Sequence, residues 1–170
     1  VLETCRNRVA FGYTISAGLI FGAFIGYLSS AQQMFSAIYG ITDLFPLYFA
    51  TLALVIGLSS FINGWFVMKI GMRLLSSYAL ASLTFLSFTY FIYAAYVGGA
   101  PDLWLNMVYF IVAFLSIGIL FGNFNALAME PLGHIAGVGA AVVGSTSTLI
   151  SAPLGAFIGQ EFDGTVLPLV

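Results

Sequence analysis

The stretch FIVAFLSIGILFGNFNALAMEPLGHIAG, residues 110–137, runs from an unbroken apolar segment through a small polar island toward a second apolar segment. The island holds Asn123, Asn125, Glu130, Pro131 and His134, the only histidine in the chain. Two readings fit it: an active site, or a turn between two buried helices. The flanks decide the fold around it. Residues 110–120 do not alternate apolar with polar side chains, so they do not suit a barrel strand. A spanning helix needs about 20 apolar residues, and the uncharged segment 103–129 supplies them.

The rest of the chain repeats that pattern. No residue is charged between Arg8 and Asp43, nor in 44–68, 74–101 and 103–129, nor in 131–160 apart from His134. Composition agrees: 61% of the 170 residues are hydrophobic and 6% charged, with mean hydropathy +1.09. A soluble domain carries about 25% charged residues. The expected fold class is therefore an all-α integral membrane protein, with five transmembrane helices near 9–30, 44–68, 75–97, 104–128 and 138–160. With the N-terminus inside, Arg6, Arg8, Lys69 and Arg73 all fall on the inner side, which is the positive-inside pattern. Asp43, Asp102, Glu161 and Asp163 then fall outside, and Glu130 and His134 inside.

Residues 31–43 read as an amphipathic outer connection, 68–73 as a short inner loop, and 97–102 as an outer turn broken by Gly-Gly and Pro. The single cysteine, Cys5, excludes an internal disulfide and a thiolate metal site. No basic run points to nucleic acid, and nothing calls for a cofactor. No cleavable signal peptide is visible. The chain opens without methionine and closes on the apolar GTVLPLV, 164–170. The expectation is a piece of a longer protein, with the start of a further span at 164–170.

Helical spacing gives the spans faces. Tyr13, Ser16, Tyr27 and Ser30 share one stripe of the first. Asn106, Tyr109, Ser116 and Asn123 share one stripe of the fourth. Such stripes turn away from lipid, and they suit either interhelical hydrogen bonding or a substrate cavity wall. Gly18, Gly22 and Gly26 form a doubled GxxxG in the first span. Gly137, Ala140, Ala141, Gly144, Thr148, Ser151, Gly155 and Gly159 form a small-residue stripe in the fifth. Both are expected to be helix-packing faces. No Asp, Glu, Lys or Arg lies at the middle of any span, so no proton relay of the usual kind is written into them.

Three groups of residues resemble a known family. NGWFVMKIGMR is similar to the short loop motif of the major facilitator superfamily: a Gly, three residues, Asp-Arg, one residue, then Gly-Arg-Arg. Gly64, Lys69, Gly71 and Arg73 keep its Gly, first basic, second Gly and last basic positions, while Met68 and Met72 replace the Asp and the middle Arg. SAPLGAFIG, 151–159, with Pro153, Gly155 and Gly159, resembles the Gly-Pro motif of drug antiporters. YLSSAQQMF, DLFPLYFA and the long NALAMEPLGHIAG string resemble the C-terminal half of the Bcr/CflA multidrug efflux branch.

This resemblance implies the C-terminal six-helix half of a major facilitator fold in a bacterial inner membrane. It implies a proton-coupled exporter of small amphipathic molecules working by alternating access. The first and fourth helices would line the cavity, and the fifth would pack where the halves slide. The missing partner would be the N-terminal six-helix half, which usually carries the proton-binding acid. Glu130 and His134 then read as an inner gate together with the 64–73 loop. Pro131 and Gly133 disfavour a regular helix between them, and two potential ligands without a third do not make a zinc site. Two other readings remain: a non-transporting membrane subunit or inactive fragment needing a partner half, and an integral membrane enzyme, for which no catalytic cluster is visible.

Overall fold

The computed structural model describes residue 4 and residues 6–170; Cys5 lies outside the described residues. Those residues form helices and turns with no strand. The long helices are α1 (Arg8–Tyr39), α2 (Phe45–Ile70), α3 (Met72–Tyr96), α4 (Leu103–Met129) and α5 (Ala136–Gln160). Short 3-10 turns cover Glu130–Ile135 and Leu167–Leu169. Among the described residues four segments are long and apolar enough to cross a membrane; the last, Leu103–Gln160, contains both α4 and α5 joined through the first 3-10 turn.

Cross-helix contacts fix the directions. Tyr27 meets Phe110, whereas Tyr13, earlier in α1, meets Phe124, so α1 and α4 are antiparallel. Ideal Cβ atoms on Gly18, Gly22 and Gly26 would touch Ile150, Leu154 and Ile158 in that order, so α1 and α5 are parallel. The chain thus reverses at EPLGHI. Pro131 removes one backbone donor and Gly133 weakens helix propensity, and the tighter 3-10 turn carries the chain round.

The ends of α1 and α2 depart from the sequence expectation. Helix α1 continues through residues 31–39 instead of giving way to a connection. The segment AQQMFSAIY has no Gly or Pro to stop it, and Ala31, Met34 and Phe35 are buried at helical spacing. The stop comes at Gly40, whose φ of 66° suits glycine. The inner loop at 68–73 shrinks to one residue. Gly71, at φ 80° and ψ 156°, alone separates α2 from α3, a region of backbone space open essentially to glycine.

Helix α4 is the central element, packed against α1, α2 and α3, with Phe110, Leu120 and Leu127 fully buried. Helices α2 and α3 present large apolar side chains outward; Phe61 is 81% and Met68 87% exposed. Exposed Trp65 and Tyr78 lie toward the Gly71 end, and Tyr96 and Trp104 toward the opposite end. This is the arrangement of interfacial aromatic belts.

The α1–α5 seam is built from glycine on both sides. Gly22 lies under Leu154 and Gly26 under Ile158, while Gly155 receives Ile25 and Gly159 receives Ser29. Ser147 Oγ donates to the Thr14 carbonyl across the seam at 3.2 Å. The expected α5 stripe divides here: Ser151, Gly155 and Gly159 lie under α1, whereas Gly137 and Gly144 meet nothing within 4 Å. Pro153 sits inside α5 on its exposed side.

The segment 164–170 forms a turn and the second 3-10 helix, where a further span was expected to start. Val166 is fully buried, and its N–H donates to the Gly99 carbonyl at 2.9 Å. Asp163 Oδ1 accepts from the Thr165 hydroxyl at 2.7 Å and the Thr165 N–H at 2.9 Å. The hydroxyl bond, followed by the backbone bond, holds the exposed Asp163 carboxyl below the usual carboxylate range.

Two outcomes follow. Gly155→Val forces a branched side chain against Ile25 and is expected to destabilise the protein by about 1–3 kcal/mol. Gly144→Val, facing open space, should stay within about 0.5 kcal/mol; thermal denaturation in detergent compares them. The Asp163 turn is held by the ionised carboxylate, so its contribution is present above the unfolded-state pKa and is lost as pH falls through the lowered folded value. The Val166 amide proton should be protected at neutral pH and lose relative protection only on strong acidification, measured by hydrogen exchange.

Candidate functional site

The facing helices α1 and α4 carry two different surfaces, one toward α3 and one toward α2. The α3 side is polar and hydrogen-bonded. Tyr90 donates to Asn106 Oδ1 at 2.7 Å, and the Tyr90 and Tyr109 rings stack at 4.1 Å. Tyr109 shares a 3.0 Å hydrogen bond with Ser87. Asn106 is fully buried and its Nδ2 reaches Met34 Sδ at 4.0 Å. Tyr27 packs edge-on against Phe114 at 4.8 Å, and its buried hydroxyl has no hydrogen-bond partner. A hollow of about 170 Å³ lies here, bordered by Tyr27, Ser87, Tyr109 and Val170.

Other members of the polar stripes are satisfied within their own helices. Ser16 donates to the Gly12 carbonyl, Ser30 to Gly26 and Ser116 to Val112. These bonds span one helical turn, so the hydroxyls need no ligand. Tyr13 is half-buried against Phe124. The eight residues do not converge on a single cavity. Ser16, Ser30 and Ser116 make helix-internal bonds, Asn106 and Tyr109 join the α3–α4 network, Asn123 joins the α2–α4 seam, and Tyr13 and Tyr27 pack their rings on α4.

That seam is narrow and polar. A Cβ on Gly118 would overlap Ser59, and Asn63 Nδ2 donates to Asn123 Oδ1 at 2.9 Å. The other amide atoms of the pair, Asn63 Oδ1 and Asn123 Nδ2, are buried without partners. Leaving such atoms unpaired costs free energy.

The surface toward α2 is aromatic. Phe21 stacks on Phe121 at 4.7 Å, Phe24 meets Phe114 edge-on at 5.5 Å, and Phe21 lies 5.9 Å from Phe24. Above them is a cavity of about 220 Å³, lined by Phe24, Leu28, Phe49, Leu52, Ile56 and Phe114, with Ala53 at its edge. It holds no titratable group. Its chemistry is that of an apolar, ring-accepting pocket. Polar spacing did not reveal it. The available signal was the pairing of Phe21 and Phe24 with Phe114 and Phe121, aromatic positions one or two turns apart on two helices.

At the Gly71 end of the bundle, Arg73 Nη2 binds Glu130 Oε2 at 3.0 Å, joining the start of α3 to the end of α4. The 64–73 and 130–134 segments therefore meet within this chain. Both side chains are more than half exposed, so the pair contributes at most about 1 kcal/mol. Lys69 Nζ sits 3.4 Å from the centroid of Trp65. Gly64 lies on an open surface, and His134 is exposed at the end of the 3-10 turn. Among the described residues no group of three or more His, Cys, Asp or Glu could hold a metal.

Relatives extend along nearly the whole chain. It is 26% identical over 97% of its length to a bicyclomycin resistance protein homolog of Haemophilus influenzae. It is 25% identical over 96% to the uncharacterized MFS-type transporter YdgK of Bacillus subtilis. The chain is a homologue of major facilitator superfamily transporters. It spans 41% and 40% of the length of these two relatives. No family model matches the chain, and no solved structure matches it. In this major facilitator homologue the loop-motif positions acquire physical roles: Gly71 makes the one-residue turn and Arg73 the ion pair with Glu130.

The Asn63–Asn123 bond is expected to couple α2 to α4 by about 0.6 kcal/mol, the mean for polar pairs inside membranes. A double-mutant cycle of Asn63→Ala and Asn123→Ala, read by unfolding in detergent, measures it. Strict additivity would show the bond to be energetically silent.

Proposed function

We propose that this chain is part of a proton-coupled secondary transporter that exports small apolar or amphipathic molecules by alternating access. The single observation that carries the reading is similarity over 97% of the chain to a resistance protein homolog. In this reading all five long helices cross a bacterial inner membrane, with the N-terminal end of α1 on the cytoplasmic side beside Lys69 and Arg73. A second six-helix half completes the path and supplies the acid that carries the proton. The chain performs no covalent chemistry.

The aromatic cavity between α1, α2 and α4 is the substrate wall in this reading, in place of the polar stripes. An uncharged ring enters such a pocket without stranding a polar group, and edge-on partners hold it by about 0.5–1.5 kcal/mol each. The glycine seam between α1 and α5 permits the helices to move as a tight pair. Glu130 and Arg73 close the inner end, and His134 belongs to the same turn.

The test uses the full-length protein in an efflux-deficient bacterium, reading accumulation of a neutral aromatic dye with and without a protonophore. Efflux should stop with the protonophore. Phe114→Ala should weaken efflux roughly fivefold, equivalent to about 1 kcal/mol of lost ring contact, at unchanged membrane abundance. Ser116→Ala should leave it near the parent level. No efflux of any apolar or amphipathic dye by abundant parent protein would overturn the transport reading; insensitivity to Phe114→Ala would move the path elsewhere.

A further inference from the structure

We propose that the inner end of this chain binds the headgroup of an anionic phospholipid in the cleft between Arg8 and Arg73. The inference depends on membrane placement and not on transport.

Helices α1 and α3 run in the same direction, and both begin at the inner end. Between their first turns lies an open cleft of about 330 Å³, lined by Arg8, Val9, Gly12, Tyr13, Ser16 and Arg73. No carboxylate is among these lining residues. Two guanidinium groups on one cleft suit a phosphate, which accepts paired N–H bonds from a planar fork. Glu130 engages one Nη of Arg73, and the three charges together remain net positive.

The backbone adds to the field. Neither α1 nor α3 has an acidic residue in its first turn, and α3 has no side-chain cap. The first N–H groups of α3 therefore need acceptors, and both helix dipoles present their positive ends here. A second hollow of about 340 Å³ also borders Arg73 and is lined by Gly71, Met72 and Leu74 of that uncapped start and by Glu130.

A lipid is favoured over a soluble anion by what continues from the cleft. The face of α1 that carries Tyr13 and Ser16 runs on, at helical spacing, through Ile20, Ala23 and Tyr27. Ala23 and Tyr27 stand across from Leu83 of α3, over Ala113 and Ile117 of α4, around the 170 Å³ hollow. This face, whose hollow also carries Ser87 and Tyr109, is mixed in polarity, and at helical spacing it leads from the charged cleft into the membrane-spanning part. A headgroup in the cleft directs its acyl chain along this face, whereas free phosphate would leave the face uncovered. Basic pockets between spanning helices on the cytoplasmic side are of the type that holds lipid phosphates.

The test is native mass spectrometry of the full-length protein, delipidated and re-equilibrated with equal phosphatidylglycerol and phosphatidylethanolamine. The parent should retain phosphatidylglycerol preferentially. Arg8→Gln and Arg73→Gln should each lower that retention roughly fivefold, the worth of one basic residue at an anionic surface. Arg6→Gln, an exposed charge that does not line the cleft, should leave it unchanged. Equal retention of the two lipids by the parent would overturn the proposal even if a variant failed to fold. So would an equal loss with Arg6→Gln, which means diffuse attraction. Displacement of phosphatidylglycerol by millimolar inorganic phosphate would mean a soluble-anion site and would overturn the lipid assignment.

Discussion

Lipid tails are as apolar as leucine, so helices in a bilayer associate chiefly where their surfaces fit each other more closely than lipid does, with hydrogen bonds between them as a second source of attraction. The α1–α5 seam meets that condition. Glycines at 22 and 26 admit Leu154 and Ile158 into one helix, and glycines at 155 and 159 admit Ile25 and Ser29 into the other. Each backbone becomes the socket for the other's side chains. The same device, in smaller measure, brings Ser59 against Gly118 between α2 and α4. With α1 held to α5 and α2 held to α4, the central helix α4 has its neighbours fixed, and the two surfaces of the α1–α4 pair follow.

Much of this fold was legible because charge is so scarce. The gaps between charged residues located the long helices to within a few residues at most of their ends. Helix α1 was the exception. Ala31, Met34 and Phe35 look like an amphipathic connector when read singly, yet they extend the helix because they pack under α2 and α4. Tertiary contact overrode a boundary drawn from polarity. Gly71 was visible as a turn residue. That it would serve alone, with Lys69 and Arg73 inside the flanking helices, depends on a backbone angle that composition does not reveal.

The site was less legible than the fold, and for a physical reason. Polar residues in a spanning helix draw attention because lipid cannot satisfy them, but a serine can satisfy itself on the carbonyl one turn back. Ser16, Ser30 and Ser116 do so. Spacing cannot separate such a hydroxyl from one that waits for a ligand. Asn106 and Tyr109 likewise spend their hydrogen bonds on Tyr90 and Ser87. The aromatic cavity carries no polar marker at all. In a chain with 17 phenylalanines, only the placement of Phe24, Phe49 and Phe114 round one space distinguishes them from lipid-facing rings.

The single-residue joint at Gly71 has a mechanical consequence. Two rods of 26 and 25 residues meet at one pivot with two torsion angles, and Arg73 at the base of the second rod is tethered to Glu130. A long linker would absorb a displacement of α2; this joint transmits it to α3 with little slack. The hairpin therefore has the geometry of a lever whose fulcrum lies at Gly71, and a small rotation there is magnified into its largest sweep at the opposite end, where Tyr96 stands exposed.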